Sequence, residues 1–134
     1  MGFDTFYRVG AHAAIFNCNH EVLLLKQSYG DKRWGLPGGG VEKGETLYEA
    51  IIRECKEELN VNITVEALTG FYYHKEFDVH VGIFRCVIER LEDVFLSAEH
   101  SEFGFFSIDS LKGAQKVRVC DALRNNACTS FASF

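Results

Sequence analysis

The chain has 134 residues, 47% of them apolar and 25% charged, with a formal net charge of −5. That length is expected to form one domain, residues 1–134, with enough core to fold without staples. The negative charge argues against a broad nucleic-acid surface, which needs Lys and Arg opposite phosphates, and no apolar run approaches the roughly 18 residues of a bilayer span. Met1-Gly2-Phe3-Asp4 lacks the basic start of a secretory signal, and Phe6 stands where a myristoylation signal needs Ser or Thr. Cys18, Cys55, Cys86, Cys120 and Cys128 are odd in number and show no C-x-x-C spacing. This argues against a disulfide framework and a zinc site and fits reduced thiols in a cytoplasmic protein.

Tyr7 to Phe16 reads as a strand, with Val9, Ala11, Ala13 and Ile15 alternating. Asn17 to His20 supplies turn residues, and Glu21 to Lys26 is a second strand expected to form a hairpin with the first. A polar loop, Gln27 to Arg33, leads into a glycine-rich stretch, Gly35 to Gly44, around Pro37. A helix follows from Leu47 to Leu59. Thr46 with Glu49 makes a capping box at its start, and Asn60 suits a left-handed exit. Asn62 to Glu76 and Asp78 to Arg90 read as two long strands hinged near Phe77-Asp78. Glu92 to Gly104 reads as acidic and irregular, and Phe105-Phe106 as a short strand. Ser107 to Leu111 suggests a short helix or turn, and Lys116 to Asn125 a terminal helix. Ala127 to Phe134 is weakly patterned and either frays or docks.

The chemistry concentrates on the Leu47–Leu59 helix. Leu47, Ala50, Ile51, Cys55 and Leu59 form its apolar stripe, with Glu49 and Lys56 opposite, in solvent. Glu54, Glu57 and Glu58 are three and four apart and therefore neighbours. Glu54 falls at the edge of the apolar arc and Glu58 well inside it, where a surface helix does not normally carry carboxylates. Three adjacent anions repel one another. A divalent cation turns that repulsion into a site, because Mg²⁺ and similar ions take oxygen ligands.

The segment from Gly39 to Val61 resembles the Nudix box, G-x5-E-x7-R-E-U-x-E-E-x-G-U with U apolar. Gly39, Glu45, Arg53-Glu54, Cys55, Glu57-Glu58 and Val61 occupy the specified positions; Asn60 replaces the box's second Gly. Trp34-Gly35-Leu36-Pro37 is similar to the family's lead-in. The resemblance implies an α/β fold, a mixed β-sheet sandwiched between α-helices (α/β/α). It also implies hydrolysis of a nucleoside diphosphate derivative, a small molecule, by water attack at phosphorus. The implied cofactor is Mg²⁺, with Mn²⁺ as a substitute, and homodimers are frequent in the family.

Roles carry over by position as implications of this resemblance. Glu57 and Glu58 match metal-ligating acids. Glu54 matches an acid that either joins the metal site or activates the water. Arg53 matches the arginine that orients the acids, and Glu45 a partner of Arg53 or of a water on the metal. The carbonyl of Gly38 matches a backbone metal ligand. The family places a further acid on a downstream loop, and Glu99 and Glu102 are the candidates, with Glu102 preferred as the catalytic one. Arg8, Lys26 and Arg33 are candidates for phosphate contacts and Phe77 for stacking on a base, along with Lys32, Lys75, Tyr72, Tyr73 and His74. The subclass marks expected roughly 15 to 18 residues past the box, Pro or Tyr, are absent from Glu76 to Val79. The reading therefore stays a general nucleotide pyrophosphohydrolase. A nucleotide-sugar (GDP-mannose-like) hydrolase, a capped-RNA hydrolase and a catalytically silent nucleotide-binding module are the alternatives.

Overall fold

The computed structural model describes residues 2–124 and 128–134. Its strands are β1 (Arg8–Ile15), β2 (Val22–Gln27), β3 (Trp34–Gly35), β4 (Gly38–Gly40), β5 (Ile63–His74), β6 (Val79–Ile88), β7 (His100–Phe106) and β8 (Ser130–Ser133); its helices are α1 (Leu47–Leu59) and α2 (Gly113–Arg124). A five-stranded mixed sheet runs β4-β1-β6-β5-β8, and a three-stranded sheet runs β3-β2-β7. Alternation along the strands separates two apolar layers. Ala11, Ala13, Ile15, Leu23, Leu25, Phe84 and Cys86 pack with Ala50, Ile51, Cys55 and Leu59 of α1. The intervening Ala14, Val22, Leu24, Val81 and Ile83 pack with Val119 and Ala122 of α2. Strands with two covered faces read as continuous apolar runs, as Val22 to Leu25 does. The result is the α/β/α sandwich.

Helix α1 forms where its sequence places it. Thr46 Oγ1 accepts from the Glu49 amide at 3.1 Å while Glu49 Oε1 accepts from the Thr46 amide at 3.0 Å. At the other end Asn60 adopts φ 57°, in the left-handed region.

Three expectations change, and one left open is decided. β1 and β2 do not form a hairpin. They touch through one bridge, Phe16 to Val22, and β2 then leaves to pair with β3 and β7. The last strand before α2 starts at His100 rather than Phe105, because its backbone pairs along β2 although its first side chains are polar. Helix α2 begins at Gly113, ahead of Lys116; the expected end at Asn125 lies outside the described residues, as does Ala127. The chain end docks: Ser130 to Ser133 adds a parallel strand to β5, from Gly70 to Tyr73. β5 and β6 are the two long strands expected on either side of Phe77-Asp78, and they pair antiparallel; among the described residues no helix is long and apolar enough to cross a membrane.

Candidate active site

The glycine stretch is what lets α1 approach the sheet. β4 pairs antiparallel with β1, His12 opposite Gly38 and Ala11 opposite Gly39. Gly38 has φ 145°, and a β-carbon there would stand 2.2 Å from the Ala11 carbonyl oxygen. A β-carbon on Gly39 would stand 2.7 Å from Glu54 Oε1. Glycine at Gly38 therefore permits a close backbone approach no other residue could make, and glycine at Gly39 leaves room for the Glu54 carboxylate. The Gly38 amide donates to Glu58, at 3.2 Å to Oε1 and 3.3 Å to Oε2. The structure thus engages the Gly38 N–H with the acid cluster.

Arg53 is the hub of the helix's polar edge. Its Nε and Nη2 reach both oxygens of Glu45, at 3.0 Å and 2.6 Å, a bidentate fork. Nη1 donates to Glu54 at 3.0 Å and Glu57 at 3.3 Å, and Nη2 to the Gly40 carbonyl at 3.0 Å. The Glu45 carboxylate, hydrogen-bonded by Arg53, is held below its usual pKa, and the Arg53 guanidinium above its own.

Glu58 is left outside this network. It is buried, 4% exposed. Burial raises its pKa to about 8, with Glu54 and Glu99 adding to the rise and the Gly38 amide opposing it. The segment after β6 brings further groups to it. The Phe95 amide donates to the Leu59 carbonyl at 2.9 Å, and the Ser97 amide to the Glu58 carbonyl at 3.1 Å. These bonds satisfy carbonyls at the end of α1 and carry Glu99 and His100 to the cleft. His100 Nε2 lies 4.0 Å from Glu58 Oε2, and its buried Nδ1 has no hydrogen-bond partner among the described residues.

A cleft of about 500 Å³ opens here. Glu54, Glu57, Glu58, Glu99 and His100 line it, facing His12, Trp34, Arg33, Gln115 and Arg118. Among the described residues no three acids, histidines or cysteines already stand at ligand distance from a common point. The donor set nonetheless fits a hard divalent cation. Two adjacent carboxylates, one buried and held protonated to about pH 8, are what such an ion would deprotonate and bind. The orphaned His100 Nδ1 marks the same wall as built for a further polar occupant.

The remaining expected residues separate. Glu102 is not in the cleft. It lies on β7 opposite Lys26, is 58% exposed, and pairs with Lys26 Nζ at 3.4 Å. Glu99, one residue before the strand, takes the cleft position instead. Lys26 is thereby occupied by Glu102. Arg8 donates to the Phe77 carbonyl, and both lie at the β5–β6 turn away from the cleft lining. Arg33 does line the cleft, paired with Asp31 at 3.2 Å. Tyr72 is core, its hydroxyl bonded to Asp121 at 2.6 Å. His12, Gln115 and Arg118 were not sequence candidates: His12 sits among the small and apolar residues of β1, and Gln115 and Arg118 share α2 with other polar residues.

An α/β/α sandwich with a carboxylate-bearing helix behind a glycine strand defines a class, and comparison with known proteins agrees. The NUDIX domain model matches residues 6–122. The chain belongs to the Nudix family. It is 35% identical over 113 residues to the bis(5′-nucleosyl)-tetraphosphatase [asymmetrical] of Caenorhabditis elegans, covering 78% of this chain and 80% of that protein. It is 35% identical over 78 residues to a putative 8-oxo-dGTP diphosphatase of Bacillus subtilis, covering 58% of this chain and 52% of that protein. It thus spans about half the length of the Bacillus relative. Among solved structures, a NUDIX hydrolase of Nitrosomonas europaea superposes with a TM-score of 0.77 at 19% identity, over 97% of this chain and 81% of that one, which speaks for the fold.

Proposed function

We infer that this chain hydrolyses a phosphoric anhydride bond of a nucleoside di- or polyphosphate derivative. Glu54, Glu57 and Glu58 would hold Mg²⁺, for which Mn²⁺ could substitute. The observation that carries the reading is the convergence of these three carboxylates and Glu99 on one cleft, with Arg53 fixing two of them. Diphosphatase and tetraphosphatase names among the relatives support the same class of reaction.

When bound, a divalent cation neutralises the diphosphate and lowers the pKa of an attacking water. The chain's own residues do the rest. Arg53 holds Glu54 and Glu57 in place, so their carboxylates need not reorganise as charge develops. The Gly38 amide orients Glu58. Glu99, bound by none of the cations that hold Glu45 and Glu54, is the carboxylate we assign to accept the water proton, in place of Glu102. Water oxygen bonds to phosphorus, the bridging P–O bond breaks, and its electron pair leaves on the departing phosphate. Trp34 walls the cleft where the nucleoside would sit. Five unpaired thiols, two of them buried, support a reducing compartment such as the cytoplasm.

The test is a panel of nucleoside triphosphates, nucleotide sugars, ADP-ribose and dinucleoside polyphosphates, incubated with Mg²⁺ and then with EDTA, with products identified by mass. Metal-dependent release of a nucleotide from one class supports the reading. Tight binding without turnover of any member would replace it with a silent nucleotide-binding module.

A further inference from the structure

Among the described residues Arg118 is a cleft cation with no carboxylate partner. It projects from α2, which packs on the opposite face of the sheet from α1, and its side chain lines the same cleft as the acid cluster. Its Nε is buried with no hydrogen-bond partner among the described residues. Its Nη1 stands 3.4 Å from His74 Nε2, an uncharged neighbour. No carboxylate among the described residues forms an ion pair with it. Asp121, the acid on its own helix, is taken by Arg124 and by the Tyr72 hydroxyl.

The surroundings keep this charge exposed to whatever enters. Burial lowers the pKa of His12 to about 4 and that of His74 below its usual value, and the Arg118 charge adds to both shifts. Two neutral imidazoles therefore flank the guanidinium. Burial depresses the Arg118 pKa as well. Removing a guanidinium from water without a counter-charge is costly, and buried charges are normally paired. His12 connects this end of the cleft to the other: a β-carbon on Gly38 would lie 2.8 Å from His12 Cγ, while the Gly38 amide bonds Glu58.

We propose that Arg118 binds a phosphate beyond the two joined by the cleaved bond, so that the preferred substrate carries a chain of three or more phosphates running from the α1 carboxylates toward the α2 guanidinium. A planar guanidinium with a free Nε–H matches phosphate oxygens. A neutral base oxygen would satisfy the hydrogen bond and leave the charge uncompensated. The proposal rests on the hydrolase reading above, and binding can be tested without it.

Inorganic tripolyphosphate is titrated into the protein without added metal, following the Arg118 Nε–H resonance by NMR and the affinity by calorimetry. The resonance shifts on binding, and Arg118→Gln weakens binding by tenfold or more while Arg118→Lys weakens it less. In steady-state hydrolysis, Arg118→Gln raises KM for triphosphate and longer substrates with little change in kcat, and leaves substrates with two phosphates unaffected. An unmoved resonance in the wild-type protein overturns the proposal even if the variants fail to fold. Equal KM changes for two-phosphate and longer substrates overturn it also, as would a loss that follows base identity at fixed phosphate number. Hydrolysis of nothing by a wild-type protein that still binds tripolyphosphate would instead remove the hydrolase reading and leave the anion site standing.

Discussion

Gly39 and Glu54 share one volume: the place a β-carbon would take on Gly39 is 2.7 Å from a Glu54 carboxylate oxygen. The neighbouring Gly38 is crowded by backbone, with the Ala11 carbonyl oxygen at 2.2 Å and His12 Cα at 2.6 Å from the corresponding position. Two adjacent glycines thus have different duties, one to the acid cluster and one to the sheet. Gly39→Ala is expected to push a flexible carboxylate aside, lowering kcat/KM by about 100-fold with a nearly unchanged unfolding midpoint. Gly38→Ala meets immovable backbone at a positive φ and should cost about 3 kcal/mol or more. Urea unfolding of both variants beside their kinetics separates the two cases. Equal destabilisation would show that the Glu54 side chain cannot yield.

Glu57 is the cluster's exposed member, its side chain 58% accessible and its contact in the described residues a 3.3 Å bond from Arg53. Glu57→Gln keeps the shape and removes the charge. Hydrolysis is expected to fall by at least about 100-fold, more than the loss typical of groups that only support a ligand, while circular dichroism and the thermal midpoint stay close to wild type. Activity that survived this change would remove Glu57 from the metal site.

How much of this was legible in the sequence depends on whether side chains or backbone made the decision. Helix α1 could be read to its termini, because Thr46, Glu49 and Asn60 fix the ends through their own hydrogen bonds and φ. The burial of Glu58 followed from the helical angle alone. The partner of β2 did not, since an apolar run buried on both faces fits either sheet. β7 and β8 join sheets largely through backbone pairing, and side chains such as His100-Ser101-Glu102 give no alternation to read. The same register decides which of Glu99 and Glu102 faces the cleft. With β7 starting at His100, Glu102 falls opposite Lys26 and Glu99 reaches the cleft. Arg118 was invisible because an arginine on a helix that also carries Lys116 and Arg124 looks solvated until the opposite wall is known.

Arg53 and Glu45 should behave as one unit. The fork between them also sets where Nη1 can reach, and Nη1 is what holds Glu54 and Glu57. Lys cannot reproduce a planar fork. Arg53→Lys is expected to reduce kcat/KM by about 10- to 100-fold. Glu45→Gln alone should do somewhat less, and the double variant little more than Arg53→Lys. A double-mutant cycle in kcat/KM measures this. Additive losses would mean Glu45 acts independently of Arg53.

Glu58 makes the metal-free protein sensitive to alkali. Its carboxyl has a pKa near 4.5 in the unfolded chain and about 8 when folded, chiefly through burial. The folded state therefore binds more protons across that interval. The contribution is full below pH 4.5 and is lost as pH rises to about 8. His12 works in the opposite sense: depressed to about 4, it adds stability above pH 6.5 that is lost as pH falls toward 4. The Glu58 part is isolated by comparing wild type with Glu58→Gln. In EDTA, the wild-type advantage in unfolding midpoint should shrink from pH 4.5 to 8 and then level off. Mg²⁺ binds the ionised carboxylate, so it should restore wild-type stability most at the alkaline end and release close to one proton per ion bound near pH 7. A wild-type minus Glu58→Gln difference that stayed flat with pH, or a Mg²⁺ titration with no proton release, would place the buried carboxylate in its charged form before any metal arrives.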